Sequence, residues 1–254
     1  MQLSKSTQQL IRSLQQAKFR NQHRLFTAEG IKTVHDLFNY GFKLHYLITC
    51  VDTEISATLT SYTEHYVVNR EIMERISALT TPPGILGVFG LPEITVSELP
   101  STTYWSLVLD GIKDPGNMGT LIRTAHWFGI KNLFLTNHCV DIFSPKTVQS
   151  SMGSLGAVTI QKIENIEQWA LLAKNAGYPL YATSLTGIPL QQCKPSRPGG
   201  IIMGSESHGI DPVWENYITE NLLIPALSNN PPDSLNVAVS AGIILHYLCS
   251  PEIR

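Results

Sequence analysis

The chain has 254 residues, 43% of them hydrophobic and only 15% charged, with 18 Lys and Arg against 20 Asp and Glu for a formal charge of −2. That length allows one large domain or two modest ones, and the balance excludes a disordered chain and an overall basic nucleic-acid coat. No apolar run reaches the roughly 18 residues of a membrane-spanning helix; the longest, Ala238 to Leu248, is broken by Ser240 and His246.

Other classes narrow the same way. The start Met1-Gln2-Leu3-Ser4-Lys5 leads into a polar stretch without the apolar segment of a signal peptide. Cys50, Cys139, Cys193 and Cys249 lie far apart with no CxxC spacing. That predicts reduced thiols in a cytoplasmic protein, with no disulfide frame and no metal site. Charge is uneven. As far as His45 there are seven basic residues (Lys5, Arg12, Lys18, Arg20, Arg24, Lys32 and Lys43) and two acids (Glu29 and Asp36), so this segment carries +5 and the remainder −7. A basic binding surface and a solvated helix face both produce such a segment.

In chain order, the first elements are short. Val34, Leu37 and Phe38 fall at helical spacing between Ile31 and Tyr40, with Gly41 as the stop. Leu44 to Cys50 reads as a strand, Glu71 to Leu79 as a helix through Ile72, Ile76 and Leu79, and Gly84 to Leu91 as a buried strand. This alternation predicts a small α/β layer. The polar, Pro-bounded stretch from Leu91 to Ser101 reads as a linker, which gives a first domain over 1–95, a linker over 96–104 and a second domain over 105–254.

The second domain alternates more strongly. Apolar runs at Trp105–Leu109, Leu133–Leu135, Ala157–Ile160, Leu180–Ala182, Ile201–Met203 and Leu222–Ile224 are separated by helical patterns at Leu121–Phe128, Trp169–Ala176 and Val237–Leu248. Buried strands alternating with helices predict a parallel sheet covered on both faces, with ligands bound outside the carboxyl ends of its strands.

Three segments stand at such ends. The first, Asp110 to Ala125, holds DPGNMGTLIRTA: a turn rich in Gly and Pro, then a helix starting near Asn117. It has no GxGxxG and no P-loop signature, which disfavours dinucleotide and P-loop readings. Asn117 serves equally well as a helix cap, and Arg123, set among Leu121, Ile122 and Ala125, reads in isolation as a structural ion pair. The second, IIMGSESHGI over 201–210, stops an apolar strand at Gly204, where a ligand can approach the backbone. Ser207 and His208 adjoin, but GxSxG is absent and neighbours in a strand-to-helix turn do not readily form a nucleophile–base bond. The third, Leu223 to Val239, carries Pro231-Pro232 in its loop and then a long helix, for which Asp233 or Ser234 is a reasonable cap. Small residues on that helix (Ala238, Ser240, Ala241, Gly242) predict close packing against another helix, in this chain or across a dimer.

Together, DPGNMGTLIRTAHWFG, IIMGSESHG and IPALSNNPPDSLNVAVSAGIILHYL resemble the three motifs of the SpoU-type (TrmH-like) RNA ribose 2′-O-methyltransferases of the SPOUT superfamily. The resemblance covers Trp105 to Leu248. The N-terminal part, through Lys18-Phe19-Arg20-Asn21-Gln22 and Leu25-Phe26-Thr27-Ala28-Glu29-Gly30, is similar to that family's substrate-binding domain, which is related to ribosomal RNA-binding proteins.

The resemblance implies an α/β protein whose C-terminal domain is a trefoil-knotted parallel-sheet methyltransferase that uses S-adenosylmethionine. It implies a homodimer with active sites at the subunit interface. The cofactor would lie against the backbone near Gly204, Ile224 and Leu235, with Thr183, in the turn after the Leu180–Ala182 strand, as a further contact. The motif arginine falls on Arg123. Its very high pKa argues for positioning and electrostatics over proton abstraction. Asn117, Glu206, Ser234 and Asn236 would hold Arg123, the ribose and the cofactor tail; no metal is required. Lys18, Arg20 and Arg24 would bind RNA. Two places depart from the family pattern: the loop Leu227–Asp233 is longer, and Gln149 stands where relatives carry a basic residue.

The function implied is methylation of a ribose 2′-hydroxyl in structured RNA, with ribosomal RNA favoured over transfer RNA by the N-terminal domain. The alternatives are a tRNA methyltransferase and a non-catalytic RNA-binding or ribosome-assembly protein on the same scaffold. A nucleotide-dependent oxidoreductase is disfavoured by the missing fingerprint.

Overall fold

The computed structural model describes residues 3–53, 55–96 and 103–249. The middle of the expected linker, 97–102, lies outside them. The chain divides into two compact units, one drawn from Met1–Glu93 and Asp141–Ala157, the other from Ile94–Val140 and Val158–Arg254. The sequence boundary would put Asp141–Ala157 in the second domain, but in the structure it falls in the first unit. Asp141 there accepts from Arg20 Nη2 at 2.5 Å, and the Phe143 and Phe26 rings lie 4.9 Å apart. A charge pair and an aromatic contact between distant residues leave no periodic trace in sequence.

Numbered in chain order, the first unit holds α1 (Lys5–Ser13), α2 (Ala17–His23), β1 (Leu25–Glu29), α3 (Ile31–Asn39), β2 (Leu44–Cys50), α4 (Ala57–Ser61), β3 (Glu64–Val68), α5 (Arg70–Ile76) and β4 (Ile85–Gly90), together with α7 (Pro145–Ser151). Its four strands run in the order β1-β4-β2-β3. β4 is antiparallel to β1 and β2, and β3 runs parallel to β2. Ile11, Leu14, Ile48, Met73, Ile76, Leu86 and Val88 form a core against one face. α3 ends where Gly41 enters the left-handed region at φ +86°. α5 stops at Ile76, three residues before the periodicity does. Ser77 takes extended backbone, and its hydroxyl and the next N–H both turn to the Glu29 carboxylate.

The second unit is a six-stranded sheet of β5 (Ser106–Leu109), β6 (Asn132–Thr136), β7 (Thr159–Ile163), β8 (Leu180–Pro189), β9 (Gly200–Met203) and β10 (Glu220–Leu223), in the order β10-β8-β9-β5-β6-β7. Every neighbouring pair is parallel. The helices are α6 (Pro115–Trp127), α8 (Ile166–Asn175) and α9 (Val237–Cys249). Val108, Phe134 and Ile202 pack with Trp169, Ala173 and Trp214 on one face. The alternate residues Leu107, Leu133 and Ile201 are equally buried, so both faces are covered. The expected strand at Ala157–Ile160 starts later, at Thr159, because Ser154–Ala157 closes a 3-10 turn. Among the described residues no helix is long and apolar enough to cross a membrane.

α6 and α9 pack together. Ala238 and Ala241 are buried, and a β-carbon on Gly242 would touch Thr124 Cγ2 at 4.0 Å. The small residues of α9 are thus used within the chain. At the end of β5 the buried Asp110 fixes the strand ends. One carboxylate oxygen accepts from Thr136 Oγ1 at 2.9 Å, and the other accepts from Asp211 N at 2.7 Å and Trp214 Nε1 at 3.0 Å. Both of its oxygens are hydrogen-bonded, as a buried carboxylate requires.

Candidate active site

The carboxyl ends of β8, β9 and β10 open into a cavity of about 780 Å³. Each strand reaches it by breaking its own regularity. The ladder between β8 and β10 jumps from the Ala182–Asn221 pair to the Ile188–Leu222 pair. Thr183 to Gly187 therefore leave the ladder and line the opening from Thr183 to Thr186. Thr183 stands inside β8, not in a turn after it, and its hydroxyl donates to Ile202 O at 3.2 Å. Beyond β9, Ser205 and Gly209 exchange backbone hydrogen bonds at 2.8 and 2.9 Å, closing a tight loop with Glu206, Ser207 and His208 at its tip. This loop explains Gly204: a β-carbon there would lie 2.3 Å from Gly209 C and 2.5 Å from Ile210 N. The chain's own backbone fills the space that the sequence left for a ligand.

Gly204, Ile224, Leu235 and Thr183 all line this one cavity, as do Glu206 and Ser234. Sequence reasoning missed Glu215, Ser240 and Ile244, which line it too. Ser240 and Ile244 follow Val237 at helical spacing, a signal that was present; Glu215, in the 3-10 turn Pro212–Asn216, had none. Among the described residues the lining contains no Lys or Arg and two carboxylates, Glu206 and Glu215.

At its edge three side chains from three segments meet. Asn117 Nδ2 donates to Glu206 Oε1 at 2.5 Å. Asn236 Nδ2 donates to Asn117 Oδ1 at 2.9 Å and to Glu206 Oε1 at 3.2 Å. Asn236 Oδ1 accepts from Ala238 N at 3.0 Å and Val239 N at 3.3 Å, so Asn236 is also the cap of α9, the place expected for Asp233 or Ser234. Likewise the cap of α6 is Asp114, whose carboxylate accepts from Asn117 N at 2.8 Å. The Asn117 side chain is thereby released for Glu206.

Arg123 does not join this cluster. It is exposed on α6 and, among the described residues, makes no ion pair or side-chain hydrogen bond, so the structural ion pair expected of it is absent. Ser207 Oγ lies 2.7 Å from His208 Nδ1, a contact the sequence argued against. Both residues are exposed, and among the described residues no carboxylate orients the other ring nitrogen, so no triad forms. Near the end of β5, burial pushes the Cys139 thiol up; it stays protonated and donates to Leu109 O at 3.1 Å.

The basic set of the first unit separates. Lys18 and Arg24 are exposed. Arg20 is 3% exposed and makes four hydrogen bonds: Nε and Nη2 donate to Asp141, and Nη1 donates to Leu14 O at 2.8 Å and Gln15 O at 2.9 Å. It is a buried structural residue, closed off from an RNA phosphate, which corrects the RNA-binding assignment.

Residues 105–246 match the model of the SpoU rRNA Methylase family, more than half of the chain. The chain belongs to that family. Residues 7–87 match the MRM3-like substrate binding domain. The chain is 28% identical over 238 residues to the 23S rRNA (guanosine(2553)-2′-O)-methyltransferase RlmP of Bacillus subtilis, covering 93% of each. It is similar in structure to an RNA methyltransferase of the TrmH family from Porphyromonas gingivalis, with 32% identity, TM-score 0.82, and 96% and 97% of the two chains covered. It is also similar to the AdoMet-bound rRNA methyltransferase of Sinorhizobium meliloti, with 28% identity, TM-score 0.84, and 97% and 95% covered.

Proposed function

We propose that this protein transfers a methyl group from S-adenosylmethionine to a ribose 2′-hydroxyl of ribosomal RNA. The observation that carries this reading is the cavity at the ends of β8, β9 and β10, with Glu206 and Glu215 in its lining and, among the described residues, no Lys or Arg. Such a site suits a cofactor bearing a sulfonium and an ammonium, and it repels the phosphates of a dinucleotide. The curated relative named above acts on 23S rRNA, and a structural relative is an AdoMet-bound rRNA methyltransferase.

Thr183, Gly204, Ile224 and Leu235 are the residues proposed to hold the cofactor. Bound there, S-adenosylmethionine supplies an electrophilic methyl group. Asn117, Glu206 and Asn236 fix one another and set the position of the ribose at the cavity edge, with Ser234 beside them. Holding the hydroxyl in line with the methyl carbon is a large part of the rate gain for such a displacement. The free guanidinium of Arg123 holds the hydroxyl and its neighbouring phosphate through charge-assisted hydrogen bonds.

Trp127, Val239 and Ile243 leave large apolar side chains exposed on α6 and α9. A second copy of the chain is the partner proposed for them, placing Arg123 at the interface; the trefoil knot and a cytoplasmic location belong to the same proposal. The test incubates the purified chain with methyl-labelled S-adenosylmethionine and either ribosomal or transfer RNA. Label in ribosomal RNA is expected. Label in transfer RNA alone contradicts the substrate, and label in neither contradicts the activity.

A further inference from the structure

We propose that the groove between α1 and α5 binds an RNA backbone, as a second contact surface for the substrate of the reaction above. The identity of the polyanion rests on that reading; the groove itself rests on geometry and charge. It encloses about 680 Å³, with Lys5, Gln8, Gln9 and Arg12 from α1 along one wall and Ile72 and Arg75 from α5 on the other. Lys5, Gln8, Gln9 and Arg12 recur at helical spacing and share a face of α1, while Ile11 and Leu14 turn to the core with Met73 and Ile76. The two cations are about 10 Å apart along the axis, from seven residues at 1.5 Å each.

Charge decides what this wall can hold. From residue 3 to residue 28 the chain has no acid. Lys5 and Arg12 are exposed, and neither pairs with an acid among the described residues. Among the described residues Arg75 pairs only with Glu71 one turn back, an exposed pair that a phosphate can displace. Arg20, counted in the same basic segment, is spent on Asp141. The free positive charge of α1 therefore lies along this groove, beside the neutral amide donors of Gln8 and Gln9. Among the described residues the lining has no aromatic side chain. That omits both the stacking platforms that read unpaired bases and the aromatic anchors typical of protein partners. What remains is sequence-independent recognition of phosphates.

The test measures anisotropy of a fluorescein-labelled 20-base-pair RNA duplex with the full chain over a KCl series. For Lys5→Gln/Arg12→Gln the slope of log Kd against log[KCl] is expected to fall by roughly 1.4 to 1.8, at about 0.7 to 0.9 per lost phosphate contact. Affinity at low salt should fall on the order of tenfold or more, equally for a duplex of scrambled sequence, while Lys174→Gln/Lys194→Gln in the second unit leaves both unchanged. Calorimetric binding of S-adenosylhomocysteine and kcat at saturating RNA should stay at wild-type values while the KM for RNA rises. A wild-type slope and affinity in Lys5→Gln/Arg12→Gln overturns the proposal. So does a labelled poly-glutamate peptide that binds as tightly as the duplex and depends on the same two residues. Groove-dependent RNA binding by a chain that transfers no methyl supports the groove and refutes the enzymatic reading.

Discussion

The Asn117 amide donates to the Glu206 carboxylate at 2.5 Å, although the two residues stand 89 positions apart in the chain. Asn236 donates to both, so each of the three family motifs contributes one member of the cluster. Because the three act as a unit, Asn117→Ala and Glu206→Ala are each expected to slow methyl transfer by about 10²-fold. The double variant should lose far less than the product of the two. Single-turnover rates on ribosomal RNA check this; full additivity shows that the residues act separately.

Arg123 makes the opposite case, a cation with no partner among the described residues. Arg123→Ala should abolish methyl transfer while leaving S-adenosylhomocysteine affinity at the wild-type value. An active Arg123→Ala enzyme removes the residue from the mechanism. Arg123→Lys should recover only part of the rate, because an ammonium lacks the planar fork.

Gly204→Ala would place a β-carbon 2.3 Å from the Gly209 carbonyl carbon. The loop Ser205–Gly209 must then shift, at a cost of about 1–3 kcal/mol by analogy with overpacked interiors. Thermal unfolding should show a lower Tm, and calorimetry should show weakened cofactor binding.

Arg20→Ala should lower stability and leave the RNA affinity of the folded protein unchanged. The change leaves Asp141 Oδ2 and two carbonyl groups without their Arg20 donors, each a loss of about 1–3 kcal/mol where solvent cannot replace it. Urea unfolding and duplex binding at matched folded concentration separate the two effects. Lost RNA affinity at full stability contradicts the structural role.

Burial raises the Glu29 carboxyl above its ordinary value of 4.5, against the lowering effect of Ser77 and the Ala78 N–H. The folded state therefore holds this proton more tightly than the unfolded chain does. The stability tied to it is complete below 4.5 and is lost as pH rises through the higher folded value. Glu29→Gln, which cannot ionise, should flatten that part of the stability–pH curve in urea titrations between roughly pH 4 and 8. An unchanged curve shows that Glu29 does not contribute.

The second unit was largely legible because a doubly covered parallel sheet writes continuous apolar runs into the chain. β5, β6, β9, β10, α8 and α9 lie within a few residues of the expected spans. The first unit was less so. β1 and β3 are five residues each and have no strong alternation, and α1 is polar along most of its length. The caps were misassigned for a common reason. Asp114 and Asn236, Asn117, Asp233 and Ser234 are all good cap residues, and only the backbone decides which is used. The buried role of Arg20 was hidden because its partner, Asp141, lies 121 residues away.

The most direct measurement is a map of 2′-O-methylated positions in total RNA from cells with and without the protein. A ribose methyl in ribosomal RNA that disappears with the protein, and returns with the wild-type chain but not with Arg123→Ala, is the expected result. An unchanged map of ribose methyls, or a lost methyl that sits on a base, contradicts it.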